Sequence, residues 1–176
     1  MLRNAGWWVG ITTWTIGRYA GNVTAEVKAR HATSNYGAYG LIFCLSNDWS
    51  QFYLFIVDSN DREYNIWKYN NGSWTDLKDW TYSSYINGGA GSNLLKIVRN
   101  GANIMVYANN YLLTTVSDGS YTGYGRVGLY VHTWSSGPGN VDVRFDNFKV
   151  CGIAHVSTAA EEETPYKEGQ GGPAGS

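Results

Sequence analysis

The sequence is poor in proline, cysteine and long apolar segments. Its 176 residues include three prolines and two cysteines, and its longest apolar runs lie at 41–45 and 52–57. A helix that crosses a bilayer needs ~20 apolar residues, so no membrane span is expected. The first residues also lack the ~7–15-residue apolar stretch of a signal peptide. The chain is therefore expected to be either cytosolic or a piece of a longer exported protein.

The cysteine count and the charge exclude two further classes of protein. Cys44 and Cys151 are too few for a disulfide framework and lack metal-ligand spacing, so we expect two small, buried hydrophobic residues. Thirteen basic residues oppose fourteen acidic residues, which gives a formal net charge of −1. Binding to a nucleic-acid backbone requires a basic surface. Nucleic acid is therefore not an expected partner.

Glycine and aromatic residues are abundant, and they favour an all-β fold. The chain has 22 glycines, 14 tyrosines and 8 tryptophans. Aromatic side chains pack well on a pleated sheet, and glycine supplies the positive φ of tight turns. No segment shows sustained helical periodicity. We therefore predict many short strands joined by tight turns.

Period-two alternation locates these strands. Apolar residues at 23, 25, 27 and 29 alternate with polar ones, and Asn71-Gly72 predicts a tight hairpin turn. In the last strand the apolar parity changes, which predicts a bulge near Asp146 and Asn147. Ten or more antiparallel strands are expected. Nine of them are delimited by the sequence: the one that contains residues 23, 25, 27 and 29, and those at about 36–45, 52–58, 64–69, 94–99, 103–108, 111–117, 125–134 and 141–150.

The alternation ends at Gly152, and the composition changes there. Residues 1–151 are predicted to form one domain, which is large enough to bury a core without a metal or disulfide. Residues 152–176 are rich in Gly, Glu and Ala. Such a segment buries too little apolar surface to offset its ordering entropy. It is interpreted as a flexible polar tail or interdomain linker.

Five short motifs occur in the order found in a known superfamily. They are 39–43 (Tyr-Gly-Leu-Ile-Phe), 52–58, 72–77 with Trp80, 125–129 and 143–148. Over roughly residues 6–150 this set resembles the concanavalin A-like lectin/glucanase superfamily, especially its bacterial laminin G-like and 3-keto-disaccharide-hydrolase-like domains. The resemblance implies a jelly-roll sandwich of two curved antiparallel sheets. The concave sheet of such domains often binds sugar.

Two features depart from the family's pattern. Such domains usually open with a strand that carries an Asp-Asp-Phe-like motif, whereas this sequence begins at Met1, which implies an open sheet edge. An arginine commonly follows the Gly-Leu-Ile-Phe-like motif, whereas this chain has Cys44. The expected consequence of the second departure is a missing polar contact on the concave face.

No pattern in the sequence predicts a catalytic site. Retaining glycoside hydrolysis needs two carboxylates ~5–5.5 Å apart. The laminarinase-like relatives carry Glu-x-Asp-x-x-Glu on one strand, and this sequence lacks it. Its nearest acidic cluster, Asp58, Asp61 and Glu63, falls on a predicted turn, where a solvated turn is favoured over weak calcium binding. We therefore expect no enzyme activity and no cofactor, with a divergent glycoside hydrolase as the alternative.

Aromatic residues carry the remaining functional signal. A sugar ring packs its C–H face on an aromatic ring, while its hydroxyls need polar partners. Strand parity places Tyr130, His132 and Trp134 opposite the core. The family's register places Asn65, Trp67 and Tyr69 outward, and Trp49 is a candidate rim. Trp74 and Trp80 match the family's ordinary pattern and are interpreted as structural, whereas packing and ligand roles are balanced for Trp67 and Trp134.

These patterns favour a non-catalytic, lectin-like module of an exported bacterial protein, located outside the cell or at its surface. Its expected partner is a glycan or polysaccharide. The alternative is a structural or adhesive module that packs against other copies or domains, with a partner strand added at an open sheet edge.

Overall fold

Eleven β-strands make up most of the structure, a computed structural model that describes residues 9–14, 18–32, 37–123, 125–133 and 141–155. All strand pairs in it are antiparallel. These described residues include no helix that is long and apolar enough to cross a membrane. The strands are β1 (Val9–Trp14), β2 (Arg18–His31), β3 (Ala38–Leu45), β4 (Gln51–Asp58), β5 (Glu63–Asn70), β6 (Ser73–Tyr82), β7 (Asn93–Asn100), β8 (Asn103–Ala108), β9 (Tyr111–Ser117), β10 (Arg126–His132) and β11 (Val143–His155).

The strands form two sheets that pack face to face. The six-stranded sheet has the order β1-β10-β3-β4-β5-β6, and the five-stranded sheet has the order β11-β2-β7-β8-β9. Leu41 and Phe55 of the first sheet share a fully buried core with Val27, Ile97 and Val106 of the second. The predicted all-β sandwich of antiparallel strands is confirmed.

The predicted hairpin turn and bulge are both present. Asn71 and Gly72 have φ of 47° and 90°, as a primed turn between β5 and β6 requires. The pairing of β11 with β2 shifts between Asp146 and Lys149, and Asn147 has φ of 55°. These left-handed conformations are the ones that asparagine and glycine adopt most readily.

The last strand continues beyond its predicted end. Ala154 pairs with Tyr19, and His155 pairs with Arg18. Residues 152–155 are therefore part of the sandwich and not of a tail, because the backbone of β2 is long enough to pair with them. Residues 156–176, the rest of the predicted tail, lie outside the described residues.

A bulge in β3 determines the environment of Cys44. Gly128 pairs with Ile42 and Arg126 pairs with Leu45, so two residues of β3 lie opposite one residue of β10. Cys44 has φ of 54°, and its side chain lies in the core between the sheets. There its Sγ accepts a hydrogen bond of 3.3 Å from Nη1 of Arg99, on the opposite sheet. The expectation that position 44 removes a contact from the concave face is therefore wrong.

The two cysteines lie in different environments. Both are free, with Cys44 buried and Cys151 exposed. The expectation of two buried cysteines is wrong for Cys151, because the bulge in β11 changes which residues of that strand face the core.

The six-stranded sheet also buries side chains on its second face, the one directed away from the five-stranded sheet. We call this second face the aromatic face. Trp74 and Trp80 pack against its margin. Its buried residues are Ala38, Ile42, Leu45, Trp49, Phe52, Leu54, Ile56, Trp67, Tyr69 and Tyr130.

Candidate functional site

The predicted residues of β5 lie on the aromatic face. Asn65, Trp67 and Tyr69 pair with Ile56, Leu54 and Phe52 of β4. Their placement opposite the inter-sheet core agrees with the register that the resemblance implied. Asn65 is 0% exposed and Trp67 is 5% exposed, so they are not open to solvent. Tyr69 is also buried, and its ring stacks on Phe52 at 4.7 Å between centroids.

The predicted residues of β10 reach the same face. Val127 and Leu129 pack in the inter-sheet core, whereas Tyr130 lies in the cluster of the aromatic face. The His132 ring lies 6.4 Å from that of Trp67, although two strands separate β10 from β5. The small residues Ala38 and Gly40 pair with His132 and Tyr130 and leave room for these rings.

The β10 residues that were predicted to point outward are buried. Tyr130 is 0% exposed and His132 is 7% exposed, so they form a buried layer on the aromatic face. Burial lowers the pKa of His132 to about 4, so its imidazole is neutral at pH 7. Trp49, the candidate rim, is buried in the same cluster, with φ of 62°. Trp134 lies outside the described residues.

The accessible tryptophans of the aromatic face are on β6. Trp74 and Trp80 are partly exposed. Their rings stand edge-on to the ring of Trp67, at centroid distances of 5.6 and 5.7 Å. The sequence favoured Trp67 over these two as a ligand platform. The structure reverses their accessibility, because β6 is the edge strand and β5 lies inside the sheet.

Asp76 is hydrogen-bonded to Trp67, the tryptophan that the other two contact. Its Oδ1 accepts hydrogen bonds from Nε1 of Trp67 and, at 3.0 Å, from Nδ2 of Asn65. The residue is exposed, so the carboxylate is held in place while it still meets solvent. We call Asn65, Trp67, Trp74, Asp76 and Trp80 the tryptophan site. Sequence reasoning missed Asp76, and the only available signal was its two-residue spacing from Trp74.

The acidic cluster lies on strand ends and not only on a turn. Asp58 ends β4, Glu63 begins β5, and the two residues pair directly. The turn interpretation holds for one Asp58 oxygen, since Oδ1 accepts a hydrogen bond of 2.8 Å from the Asn60 N–H. Burial, followed by the charges of Asp61, Asp58 and Asp79, raises the pKa of Glu63. Among the described residues, no three His, Cys, Asp or Glu side chains are placed to hold a metal ion.

Solved structures of the same architecture are known, although no protein-family model and no curated protein matches the chain. The carbohydrate-binding module CBM66 from Bacillus subtilis has 20% identity and a TM-score of 0.63, covering 84% of this chain and 96% of that one. CG-16, a homodimeric agglutinin from chicken liver, has 10% identity and a TM-score of 0.54, covering 82% and 98%.

An enzyme is also among the similar structures. A Bacillus licheniformis β-glucanase has 11% identity and a TM-score of 0.56, covering 75% of this chain and 66% of that one. At such identities these similarities establish the fold and not the activity. Lectins, a binding module and a glucanase share the sandwich described above, so the chain has the concanavalin A-like jelly-roll fold.

Proposed function

We propose that this chain is a non-catalytic, lectin-like carbohydrate-binding module of an exported bacterial protein. The observation that carries this proposal is the tryptophan site, where two partly exposed indole rings lie against Trp67 and the same Trp67 holds an exposed carboxylate. Indole rings pack against the C–H faces of sugars, and a carboxylate accepts hydrogen bonds from their hydroxyls. The shared fold of a carbohydrate-binding module and an agglutinin supports the same function.

This proposal gives the predicted site residues different tasks. In this proposal the sugar contacts Trp74, Asp76 and Trp80, which are the accessible members of the site. Trp67 and Asn65 hold the Asp76 carboxylate from below. Tyr69, Tyr130, His132 and Trp49 support the sheet surface beneath the site. A direct contribution of Trp134 to binding stays a prediction.

Affinity electrophoresis on a panel of soluble polysaccharides tests the proposal. Trp74→Ala and Trp80→Ala should each reduce retardation at least roughly tenfold, because each removes a stacking surface. Tyr111→Ala is the matched control, since Tyr111 is an exposed aromatic residue on the five-stranded sheet. Equal losses in all three variants, or no retardation of the wild-type chain, would overturn the proposal.

The absence of catalysis is tested separately at the paired acids. Asp58 and Glu63 are two carboxylates that pair directly across β4 and β5, and burial together with neighbouring acids raises the pKa of Glu63. We nevertheless expect no turnover of the bound polysaccharide, since Asp58 also closes the turn after β4. Release of reducing sugar that disappears in Glu63→Gln would show that the module is a hydrolase.

A second candidate function is adhesion through the edge of the five-stranded sheet. Strand β9 lies at that edge among the described strands, and none of its seven residues is charged. Tyr111 and Leu112 are 55% and 50% exposed. The edge strands β6 and β11, by contrast, carry charged residues. Natural sheets often protect their edges with charges, so the uncharged β9 is suited to pair with a second copy of the chain.

Oligomeric state distinguishes the two functions. If β9 pairs with its counterpart in a second copy, the sedimentation coefficient should rise with protein concentration, and Leu112→Lys should abolish the rise. Sugar binding should be unchanged in this variant, since Leu112 and the tryptophan site are on different sheets. A chain that stays monomeric at all concentrations excludes adhesion through this edge.

A further inference from the structure

The Asp76 carboxylate has one oxygen committed to the protein and one that is not. Oδ1 receives both the Asn65 and the Trp67 hydrogen bonds. In the described part of the chain, no donor contacts Oδ2, which is on an exposed residue. Because its partner oxygen is anchored to Asn65 and Trp67, the carboxylate is held on the strand that also carries Trp74 and Trp80. A ligand group that meets this oxygen must supply a hydrogen-bond donor.

Asn65 adds a second acceptor without a donor. A carboxylate only accepts hydrogen bonds, so the amide nitrogen of Asn65 must be the atom that faces Asp76. The amide oxygen, Oδ1, is then directed elsewhere, and it is buried without a hydrogen-bond partner. A buried acceptor without a donor is costly to the folded state. This oxygen is too deeply buried to meet a ligand, so Oδ2 of Asp76 is the carboxylate or amide oxygen that the site presents outward.

Positive charge is directed away from the same site. Lys68 of β5 binds Asp118, which follows a strand of the other sheet. Lys78 of β6 pairs with Ile66, whose side chain is in the inter-sheet core. Asp79 and Glu63 are the other charged side chains of these two strands besides Asp76. The lysines of β5 and β6 thus lie on the face opposite to the Asp76 carboxylate.

We infer that the tryptophan site selects neutral, hydroxyl-rich sugars and rejects sugars that carry carboxylate or sulfate groups, and that Asp76 is the residue responsible. This inference rests on the proposed function. Neutral sugars present hydroxyl donors, and the exposed Oδ2 of Asp76 can accept from them. An ionised carboxylate or sulfate has no proton to donate and is repelled by Asp76. The indole rings bind both classes of sugar alike, so charge selectivity belongs to the carboxylate.

The experiment compares polysaccharides that differ only in charge. Neutral glucans and mannans are each prepared alongside a form oxidised at C6 to the carboxylate, and affinity electrophoresis is run at low and high salt. We expect the wild-type chain to bind each neutral form at least roughly tenfold more tightly than its oxidised form. Since salt screens charge repulsion, the ratio should shrink at high salt.

Two isosteric variants test whether Asp76 is the residue that distinguishes neutral from oxidised polysaccharides. In Asp76→Asn, the amide oxygen still accepts from Asn65 and Trp67, but an NH₂ donor replaces Oδ2. Affinity for neutral forms should fall, and the ratio of neutral to oxidised binding should approach one. Asp79→Asn removes a neighbouring charge on β6 and is the control. Its ratio should change much less than that of Asp76→Asn.

The outcomes separate the inference from the proposed function. If the wild-type chain binds oxidised forms as tightly as neutral ones, or if both variants change the ratio equally, the inference is overturned and sugar binding stands. If no polysaccharide of either kind is bound, both are overturned. Melting midpoints of the two variants close to that of the wild-type chain show that the changes in ratio come from the site and not from unfolding.

Discussion

Lys68 and Asp118 form an ion pair that ties the two sheets together, with Nζ 2.7 Å from Oδ2. Lys68 lies in the six-stranded sheet, and Asp118 follows the last residue of β9 in the five-stranded sheet. The other Asp118 oxygen accepts hydrogen bonds from the Tyr53 hydroxyl and, at 2.8 Å, from the Ser120 N–H. This carboxylate therefore joins the two sheets on the side of β5 that faces the five-stranded sheet.

Removal of the cation should weaken this connection. Lys68→Met keeps most of the apolar stem but leaves a half-buried carboxylate without its charged partner, so the free energy of unfolding should fall by ~1–3 kcal/mol. Urea denaturation measures this change. Lys78→Met is the control, because the described hydrogen bonds and ion pairs do not include the Lys78 ammonium. A loss in Lys68→Met no larger than in the control would show that the ion pair contributes nothing.

The same carboxylate should make stability depend on pH below about 4. Burial opposes its ionisation, but hydrogen bonds from Lys68, Tyr53 and Ser120 outweigh burial and lower the pKa of Asp118 from 3.8. A carboxyl whose pKa is depressed by folding stabilises the folded state above its unfolded pKa. That contribution is lost as the pH falls below 3.8 and through the folded pKa. In Asp118→Asn the acid-side slope of stability against pH should be shallower than in the wild-type chain.

The buried His132 should make stability depend on pH in a higher range than Asp118 does. Its pKa falls from 6.5 to about 4 because of burial. The unfolded chain therefore binds a proton at this side chain more readily than the folded one, so stability should fall as the pH drops from 6.5 to about 4 and level off below. Long-range nitrogen NMR of the imidazoles is the direct measurement. A His132 signal that titrates near pH 6.5 in the folded chain would contradict the burial described here.

The sequence was informative where strands alternate regularly and uninformative where they do not. Asn65, Trp67 and Tyr130 were assigned to the correct face because β5 and β10 keep their parity over these residues. The pairing of β5 with β6 shifts twice between Tyr64 and Trp67, so strand parity does not connect Trp80 with Trp74 and Asp76. Parity also identifies a face without showing whether solvent reaches it, which is why Tyr130 was expected outward and is buried.

Cysteine reactivity should differ sharply between the two thiols. Burial raises the pKa of the Cys44 thiol to about 11, whereas Cys151 is exposed. Since the thiolate is the reactive species, one thiol per native chain should react with a disulfide reagent such as DTNB, and two should react in denaturant. Cys151→Ser should abolish the native reaction. Fast reaction of two thiols in the native chain would show that the core around Cys44 opens readily.

Two truncations test where the domain ends. Composition predicts that residues 156–176 contribute little to stability, so a chain ending at His155 should keep the wild-type melting midpoint. A chain ending at Cys151 loses the pairings of Ala154 with Tyr19 and of His155 with Arg18. Its midpoint should fall by several degrees, comparable to ~1–2 kcal/mol for a domain of this size. If the chain that ends at His155 is as unstable as the one that ends at Cys151, the polar segment 156–176 packs on the sandwich.

The tryptophans of the aromatic face should separate stability from binding. Trp67 is buried and donates its Nε1–H to Asp76, so Trp67→Ala should leave a cavity and cost ~3–5 kcal/mol. Trp74 and Trp80 are partly exposed on the edge strand, so their replacement by alanine should cost much less.

The tryptophan substitutions that weaken sugar binding should not be the ones that most reduce stability. Trp74→Ala and Trp80→Ala should lose retardation by polysaccharide while melting near the wild-type midpoint, since each removes contact area without opening the core. Trp67→Phe keeps much of the buried volume but cannot donate to Asp76. It should fold and bind sugar more weakly, because the carboxylate loses one of its two anchors. If Trp74→Ala and Trp80→Ala unfold as readily as Trp67→Ala, all three rings serve packing and the tryptophan site is not a binding site.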